Sequence, residues 1–203
     1  MKNYFQISLD IEDRSCLVIG GNEEAEDKVQ RLLDAGAKVT VVSPRLTEGL
    51  HLLVASGRVV WNEARFTSQG LVGQSLVMLC VKTDPPLTEQ VFKLCRSAGI
   101  LVCAYDQPKW CDFTMPALVK CGRLRLAVST GGAAPALARK VRQGLEMIFD
   151  DRLARFLDWL AEQRTRLEKE EPVLEARREK LKGLVKDFEI TGRVIYPPDW
   201  EKK

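Results

Sequence analysis

A glycine-rich turn directly after an apolar run is the first feature of the chain that could bind a ligand. Residues 15–19 read as a buried strand, and apolar residues recur at helical spacing from Ala25 onward. Backbone N–H groups at the start of such a helix can hold a pyrophosphate, and the helix dipole favours it. The candidate cofactor-binding residues of this turn are Gly20, Gly21, Asn22, Glu23 and Glu24.

The glycine pattern of this turn departs from the usual dinucleotide fingerprint at one position. Gly20 fits the first position and Ala25 fits the third. Asn22 stands in the middle, where a glycine normally lets the backbone approach the phosphates. Asn tolerates unusual backbone angles, so the turn stays feasible. Taken alone, the turn is either a dinucleotide site or a plain tight turn, and both alternatives stay open.

Other polar residues follow apolar runs in the same way. Asp106 comes directly after the run from Ile100 to Tyr105 and is expected on the floor of a crevice, where a carboxylate could accept a proton. The alternative is a loop aspartate that caps a turn before Pro108, and position alone favours it. No acidic residue closes the second strand, where a ribose hydroxyl normally finds one, so Ser43 is the polar candidate there. The further candidates at strand ends are Pro44, Thr83 and Asp84.

A second glycine turn lies inside a basic stretch. Residues 129–132 could form a ring of N–H donors for a carboxylate, or simply join a hairpin to a helix through an N-cap. Residues 109–142 hold seven basic residues and one acidic residue, a net charge of +6, whereas the whole chain has 31 basic and 28 acidic residues. Such a block suits a small polyanionic ligand, and an ordinary solvated face is the alternative.

The elements that must position these residues alternate between strand and helix, and the strands are continuously apolar. Continuously apolar strands are typical of a parallel sheet covered by helices on both faces. The sequence therefore predicts an α/β fold with a Rossmann-like parallel sheet, followed by a small α+β segment and a C-terminal helical region. The predicted strands are 15–19, 38–42, 59–61, 76–81 and 100–105, and the predicted helices between them are 25–35, 46–57 and 87–98.

The second part of the chain has a different pattern. A hairpin is predicted from residues 114–119 and 123–128, and a helix over 136–147. Two charged amphipathic helices follow from Asp151, with a break near Pro172, and the tail from Gly192 is expected to be irregular. Ligands of doubly wound sheets bind beyond the carboxyl ends of the strands, so the turns after strands are expected to converge on one crevice.

Composition excludes several classes of protein. The hydrophobic fraction of 45% argues against a largely disordered chain, and the net charge of +3 is too small to indicate a nucleic-acid partner. No apolar run is long enough to span a bilayer and no signal core precedes the first strand, so a cytoplasmic protein is expected. Six cysteines without a C-x-x-C pair are expected to be free thiols, and the single histidine, His51, argues against a metal site.

The longer motifs resemble a known family. These motifs are Leu17 to Gly21, Leu32 to Pro44, Cys111 to Ala117 and Ala127 to Arg139. They are similar in order and spacing to the N-terminal domain of siroheme synthases, including its "CDF-x-x-PA" and "STGG-x-SPALAR" segments. The resemblance implies an NAD-binding Rossmann-like domain over residues 1–113, a dimerisation segment over 114–147 and a C-terminal helical region with a tail over 148–203, with no methyltransferase module attached.

The resemblance also implies an activity. It predicts an NAD-dependent precorrin-2 dehydrogenase, a homodimer that oxidises precorrin-2 to sirohydrochlorin in siroheme biosynthesis. Some members of the family also insert Fe²⁺ as a ferrochelatase, whereas others leave that step to a separate enzyme. Asp106 maps onto the family's catalytic aspartate, and Thr130 onto a serine that is phosphorylated in some members. The residues expected to bind the tetrapyrrole are Lys109, Ser129, Thr130, Gly131, Gly132 and Arg139.

Three positions depart from the family pattern. Asn22 replaces a glycine, Cys103 stands where the family usually has Asn, and Ala134 replaces a serine. They support an alternative reading, in which the chain is a catalytically degenerate tetrapyrrole-binding or carrier protein with the same fold.

Overall fold

A computed structural model describes residues 4–192 of the chain. The chain divides into two compact units, Met1–Met115 and Pro116–Lys203. The domain boundaries expected after residues 113 and 147 stay predictions. The irregular tail expected beyond Gly192 lies outside the described residues.

The first unit is built on a five-stranded parallel sheet with the strand order β3-β2-β1-β4-β5. Its strands are β1 (Ser15–Ile19), β2 (Lys38–Val42), β3 (Val59–Asn62), β4 (Leu76–Leu79) and β5 (Leu101–Ala104). Val18 at the centre of the sheet pairs with Val41 on one side and with Met78 on the other. The order reverses between β1 and β4, and this is the topological switch point of the sheet. The predicted α/β fold is confirmed.

The three α-helices of this unit lie where they are predicted, but their first residues differ from the predicted ones. They are α1 (Glu23–Leu33), α2 (Glu48–Ala55) and α3 (Pro85–Ala98). Helix α1 begins two residues before the predicted start because Asn22 caps it. Helix α3 begins at Pro85 rather than at residue 87 because Asp84 caps it and proline is well tolerated in a first turn. The spacing of apolar residues cannot show such polar first turns.

The core of the first unit lies between the sheet and its helices. Leu17 and Val77 on the sheet and Val29 and Val91 on the helices have side chains with at most 1% of their surface exposed. Burial of each such side chain stabilises the fold by about 1.5–3 kcal/mol, so the apolar runs predict which segments form strands. Strands β4 and β5 end earlier than predicted, at Leu79 and Ala104 rather than at residues 81 and 105.

The second unit begins with an antiparallel hairpin, β6 (Ala117–Cys121) and β7 (Leu124–Val128), that turns at Gly122 with a φ of 52°. Three helices follow: α4 (Pro135–Ile148), α5 (Asp151–Glu170) and α6 (Leu174–Leu184). Helix α4 packs against the hairpin, and Asp150 caps α5. The predicted hairpin and helices are confirmed, with β6 beginning three residues later than expected, after Pro116. Within residues 4–192, no helix has both the length and the apolar character needed to cross a membrane.

Candidate functional site

Both glycines of the first turn are required by the way the turn packs. Gly20 has a φ of 117°, and a Cβ there would meet the Cys80 backbone at 3.3 Å. A Cβ on Gly21 would collide with the main-chain oxygen of Arg45 and lie 2.9 Å from the Ser43 hydroxyl. The turn after β1 is therefore packed between the end of β4 and the loop after β2, and a side chain at either glycine would disturb it.

Asn22 holds this turn in place with both ends of its side-chain amide. Its Oδ1 accepts a hydrogen bond from the N–H of Ala25 at 3.0 Å, and its Nδ2 donates to the main-chain oxygen of Cys80 at 3.1 Å. Its φ is −90°, so the unusual backbone angles invoked from the sequence do not occur at this position. The side chain of Asn22 caps α1 and links the turn after β1 to β4. The middle position of the fingerprint therefore does not need a residue with a left-handed backbone conformation in this protein.

Glu23 and Glu24 form the first turn of α1. Their carboxylates interact favourably with the positive end of the helix dipole. A carboxylate repels a phosphate, so the backbone N–H groups are the part of these residues that could serve a dinucleotide.

Ser43 and Pro44 lie where β2 ends, beside the glycine turn. The Ser43 hydroxyl donates to the main-chain oxygen of Arg45 at 2.7 Å, and the indole of Trp61 donates to the Ser43 oxygen at 2.9 Å. Ser43 is 8% exposed and shapes this loop, whereas Pro44 is exposed. The structure thus brings the ends of β1 and β2 together, as the sequence predicts.

Thr83 and Asp84 lie beyond the end of β4, and both are exposed. The Asp84 carboxylate accepts a hydrogen bond from the N–H of Leu87 at 3.0 Å and so caps α3. This bond gives Asp84 a role in starting the helix.

Asp106 lies directly beyond β5, with a left-handed φ of 59°. Its carboxylate Oδ2 is 3.2 Å from the ammonium nitrogen of Lys82, and 72% of its side chain is exposed. The expectation that it lies on the floor of a crevice is therefore wrong. Main-chain pairing with β4 ends at Tyr105, whose N–H donates to the Leu79 oxygen, so Asp106 stands past the last paired residue.

Lys82 pairs with Asp106, and the ammonium groups of Lys82 and Lys28 both lie over the ring of the neighbouring residue Tyr105. None of these three residues was predicted from the sequence to be functional. The Lys82 ammonium lies 4.4 Å from the centre of the Tyr105 ring, and the Lys28 ammonium lies 5.1 Å from it. The hydrogen bond to Asp106 is the main reason that the pKa of Lys82 is raised above its usual value. Lys82 follows β4 and Tyr105 follows β5, so their places after adjacent apolar strands were a usable signal.

The second glycine turn satisfies part of its own backbone. The Ser129 hydroxyl accepts from the N–H of Gly131 at 3.2 Å, and the Thr130 hydroxyl accepts from the N–H of Ala134 at 3.1 Å. Gly131 and Gly132 have left-handed φ angles of 62° and 84°. These contacts fit the alternative of a capped hairpin-to-helix connection, since the N–H of Gly131, one of the donors expected for a carboxylate, is already bonded within the turn.

The basic stretch is partly neutralised by acidic residues. Arg123 pairs with Asp158 at 2.8 Å, and Arg142 pairs with Glu146 one helical turn away. Arg139 is exposed on α4. Lys109 belongs to the first unit, where its ammonium lies 4.5 Å from the centre of the Trp110 ring.

Two family models match consecutive parts of the chain. A family model described as "Putative NAD(P)-binding" matches residues 7–117, and one described as "Sirohaem biosynthesis protein central" matches residues 122–146. The chain belongs to the siroheme synthase N-terminal family. The family predicted from the motifs is confirmed.

Several curated siroheme synthases are similar to this family member. The protein from Nitrosococcus oceani is 35% identical over 175 residues, which are 86% of this chain and 37% of that protein. Siroheme synthase 1 from Aeromonas salmonicida is 37% identical over 151 residues, or 74% of this chain and 32% of that protein. The chain thus spans about a third of the length of these relatives.

A solved structure shares the fold. The structure described as "SirC, precorrin-2 dehydrogenase" has a TM-score of 0.77 and 24% sequence identity, and the match covers 91% of this chain and 90% of that chain. At this identity the likeness establishes the Rossmann-like architecture and the arrangement of elements within it.

The turn after β1 fits the NAD(P) that the family description names. It lies at the switch point of the sheet, where dinucleotides bind in doubly wound folds, and it opens directly into the positive end of α1. Asn22 fixes its shape from both sides. Among the described residues, no group of three or more His, Cys, Asp and Glu side chains is placed to hold a metal ion.

Proposed function

We propose that this chain oxidises precorrin-2 to sirohydrochlorin with NAD⁺ as the electron acceptor. The proposal is supported above all by one feature, the arrangement of the glycine turn and Asp106 at the same edge of one parallel sheet. The turn follows β1 and Asp106 follows β5, with β4 between them. Adjacent strands lie about 4.8 Å apart, so the two sites are about 10 Å apart across the edge, a distance that a nicotinamide and a substrate ring can bridge.

The reaction removes two hydrogen atoms from the tetrapyrrole, one as a hydride and the other as a proton. NAD⁺ held by the backbone N–H groups of the turn after β1 would supply the acceptor for a hydride from a carbon of the macrocycle. Asp106 accepts the remaining proton, and its high exposure lets it return that proton to water. The turn after β1 orients the cofactor through the backbone at the start of α1, so the rate depends strongly on how rigidly Asn22 holds that turn.

The proposal extends to a homodimer of this chain in the cytoplasm. Helix α4 exposes apolar side chains that a partner could cover, including Leu137, which is 55% exposed, and Met147, which is 89% exposed. The tetrapyrrole contacts of Lys109, Ser129, Thr130, Gly131, Gly132 and Arg139 stay predictions, and so does insertion of Fe²⁺. Light scattering of the purified protein tests the dimer, since a monomeric mass at micromolar concentration would contradict it.

The activity is tested by incubating the purified protein with precorrin-2 and NAD⁺ without oxygen and following NADH and sirohydrochlorin. We expect both products in equal amounts, and loss of at least about 100-fold in kcat for Asp106→Ala, since general base catalysis contributes about 10²–10⁴-fold. Fe²⁺ is then added, and siroheme formation above the spontaneous rate would establish chelation.

Asp13 supplies a matched control for Asp106. It also has a left-handed φ, of 57°, and it pairs with a lysine, Lys38, at 3.0 Å, but it lies at the opposite edge of the sheet. Asp13→Ala should leave kcat unchanged. Tetrapyrrole binding without NADH formation by the folded wild-type protein would contradict the proposal and favour the carrier function.

A further inference from the structure

The ion pair between Lys82 and Asp106 joins the segment that follows β4 to the segment that follows β5. Leu79 of β4 pairs with Ala104 of β5 in the sheet. Beyond this pair, the chain continues from β4 to Lys82 and from β5 to Asp106. The Lys82 ammonium lies 3.2 Å from the Asp106 carboxylate. An ion pair in this place links the proposed proton acceptor to the strand next to the cofactor turn.

The backbone around Asp106 is fixed without help from Lys82. The N–H of Tyr105 donates to the Leu79 oxygen at 2.8 Å, and the Gln107 side chain donates to the Val81 oxygen at 3.3 Å. Both bonds anchor the turn to β4 and its extension. Because the backbone is held independently, the contact of Lys82 acts on the Asp106 side chain alone.

The Lys82 ammonium is itself held from a second side. It lies 4.4 Å from the centre of the Tyr105 ring, within the range of a cation–π interaction. Lys28 lies 5.1 Å from the same ring, and its ammonium is bonded to Asp27. The ring and the carboxylate together restrict a lysine side chain that would otherwise sample many rotamers.

The ion pair contributes little to the stability of the fold. The Lys82 side chain is 44% exposed and the Asp106 side chain is 72% exposed, and exposed pairs of this kind are screened by water and salt. Substituting Lys82 should therefore leave the protein folded. A contact that does little for folding, yet restricts the one carboxylate at this edge proposed to react, is better explained by what it does for that carboxylate.

We infer that Lys82 is a positioning residue, which holds the Asp106 carboxylate in the orientation that accepts the substrate proton. This inference rests on the proposed function, because it assigns Lys82 a part in the step attributed to Asp106. Tyr105 supports Lys82 by confining its ammonium. The substrate proton passes to Asp106, while Lys82 keeps its own protons throughout, so no further acceptor is required.

The inference is tested by steady-state kinetics on Lys82→Met, Lys82→Arg and the double variant Lys82→Met/Asp106→Asn. We expect Lys82→Met to lower kcat about tenfold, since loss of orientation costs part of the acid–base contribution, with KM for NAD⁺ changed less than about twofold. Lys82→Arg should restore kcat to within about threefold of wild type, because a guanidinium can still bind the carboxylate. In the Asp106→Asn background, Lys82→Met should have no further effect, as for two residues acting through one contact.

Two outcomes would overturn the inference. One is an unchanged kcat in Lys82→Met, whether or not KM for NAD⁺ rises, and the other is an equal loss of kcat with and without the Asp106 carboxylate. Lys38→Met is the matched control, since it breaks the equivalent exposed pair with Asp13 at the other edge of the sheet and should change neither parameter. An inactive wild-type protein would overturn the proposed function and this inference with it, whereas an active wild-type protein with an unaffected Lys82→Met would overturn the inference alone.

Discussion

The side-chain amide of Asn22 donates a hydrogen bond to the main-chain oxygen of Cys80 at 3.1 Å, and thereby ties the turn after β1 to the end of β4. The same side chain caps α1 through the N–H of Ala25. One residue therefore shapes the candidate cofactor site and stabilises the helix that begins there.

Asn22→Ala should lower the free energy of unfolding by about 1–2 kcal/mol, because it removes a helix cap and a hydrogen bond.

Asn22→Gly recreates the usual fingerprint, but Asn22 has a φ of −90°, which does not require glycine. We therefore expect Asn22→Gly to bind NAD⁺ no more tightly than wild type. Denaturant titration and calorimetry with NAD⁺ check both, and tenfold tighter binding by the glycine variant would contradict this reading.

Gly21→Ala should destabilise the protein by about 1–3 kcal/mol and weaken NAD⁺ binding, because the added methyl group displaces the loop after β2. Gly183→Ala is the control, since a Cβ at this position on α6 has no heavy atom within 4 Å. That variant should be as stable as wild type, or up to about 1 kcal/mol more stable. Similar unfolding midpoints for wild type and Gly21→Ala would show that the loop yields easily.

Asp112→Ala should destabilise the first unit without a direct effect on the reaction. The Asp112 carboxylate accepts from the N–H of Val102 at 3.2 Å and from Arg96 at 2.7 Å, and its side chain is 11% exposed. Its loss leaves a backbone N–H of β5 without this acceptor, at a cost of about 2 kcal/mol. Thermal unfolding measures the effect, and Asp112→Asn, which keeps an acceptor oxygen, should lose less.

The six thiols should differ strongly in reactivity. Burial raises the pKa of Cys16 and Cys95 to about 11 and that of Cys80 to about 12. The pKa of Cys103 is raised by its hydrogen bond with Cys111 and by burial. Since the thiolate is the reactive form, an aromatic disulfide reagent at pH 8 should modify half-exposed Cys121 first and these buried thiols far more slowly. Rapid reaction of all six in the folded protein would contradict the burial, whereas all six should react in guanidinium.

The protein should lose stability in alkali because of the same thiols. Their pKa values in the folded state exceed the ordinary value of 9.0. The unfolded chain therefore releases these protons first, so the stabilisation is complete below about pH 9 and is lost as the pH rises towards 11 or 12. Urea titrations between pH 8 and 11 measure the decline. Cys16→Ala should reduce its slope, and an identical slope would show that Cys16 does not contribute.

The sequence by itself determined the fold class, the order of the elements and the family. Strands β1 and β2 lie at their predicted residues, because strands buried on both faces must be apolar along their whole length. Helix starts were placed less well, since they depend on caps such as Asn22 and Asp84 rather than on apolar spacing. The glycine turn and Asp106 could be named as candidates because ligand-binding residues follow strands in such sheets.

Only the tertiary structure decided how those residues contact one another. Asn22 and Cys80 are 58 positions apart in sequence, and Lys82 and Asp106 are 24 apart. Each pair meets because β4 lies between β1 and β5 in the sheet, and that neighbourhood follows from how the crossovers fold rather than from any local pattern. For the same reason the sequence could name Asp106 as a candidate but could not show that it is exposed, left-handed and bound to a lysine.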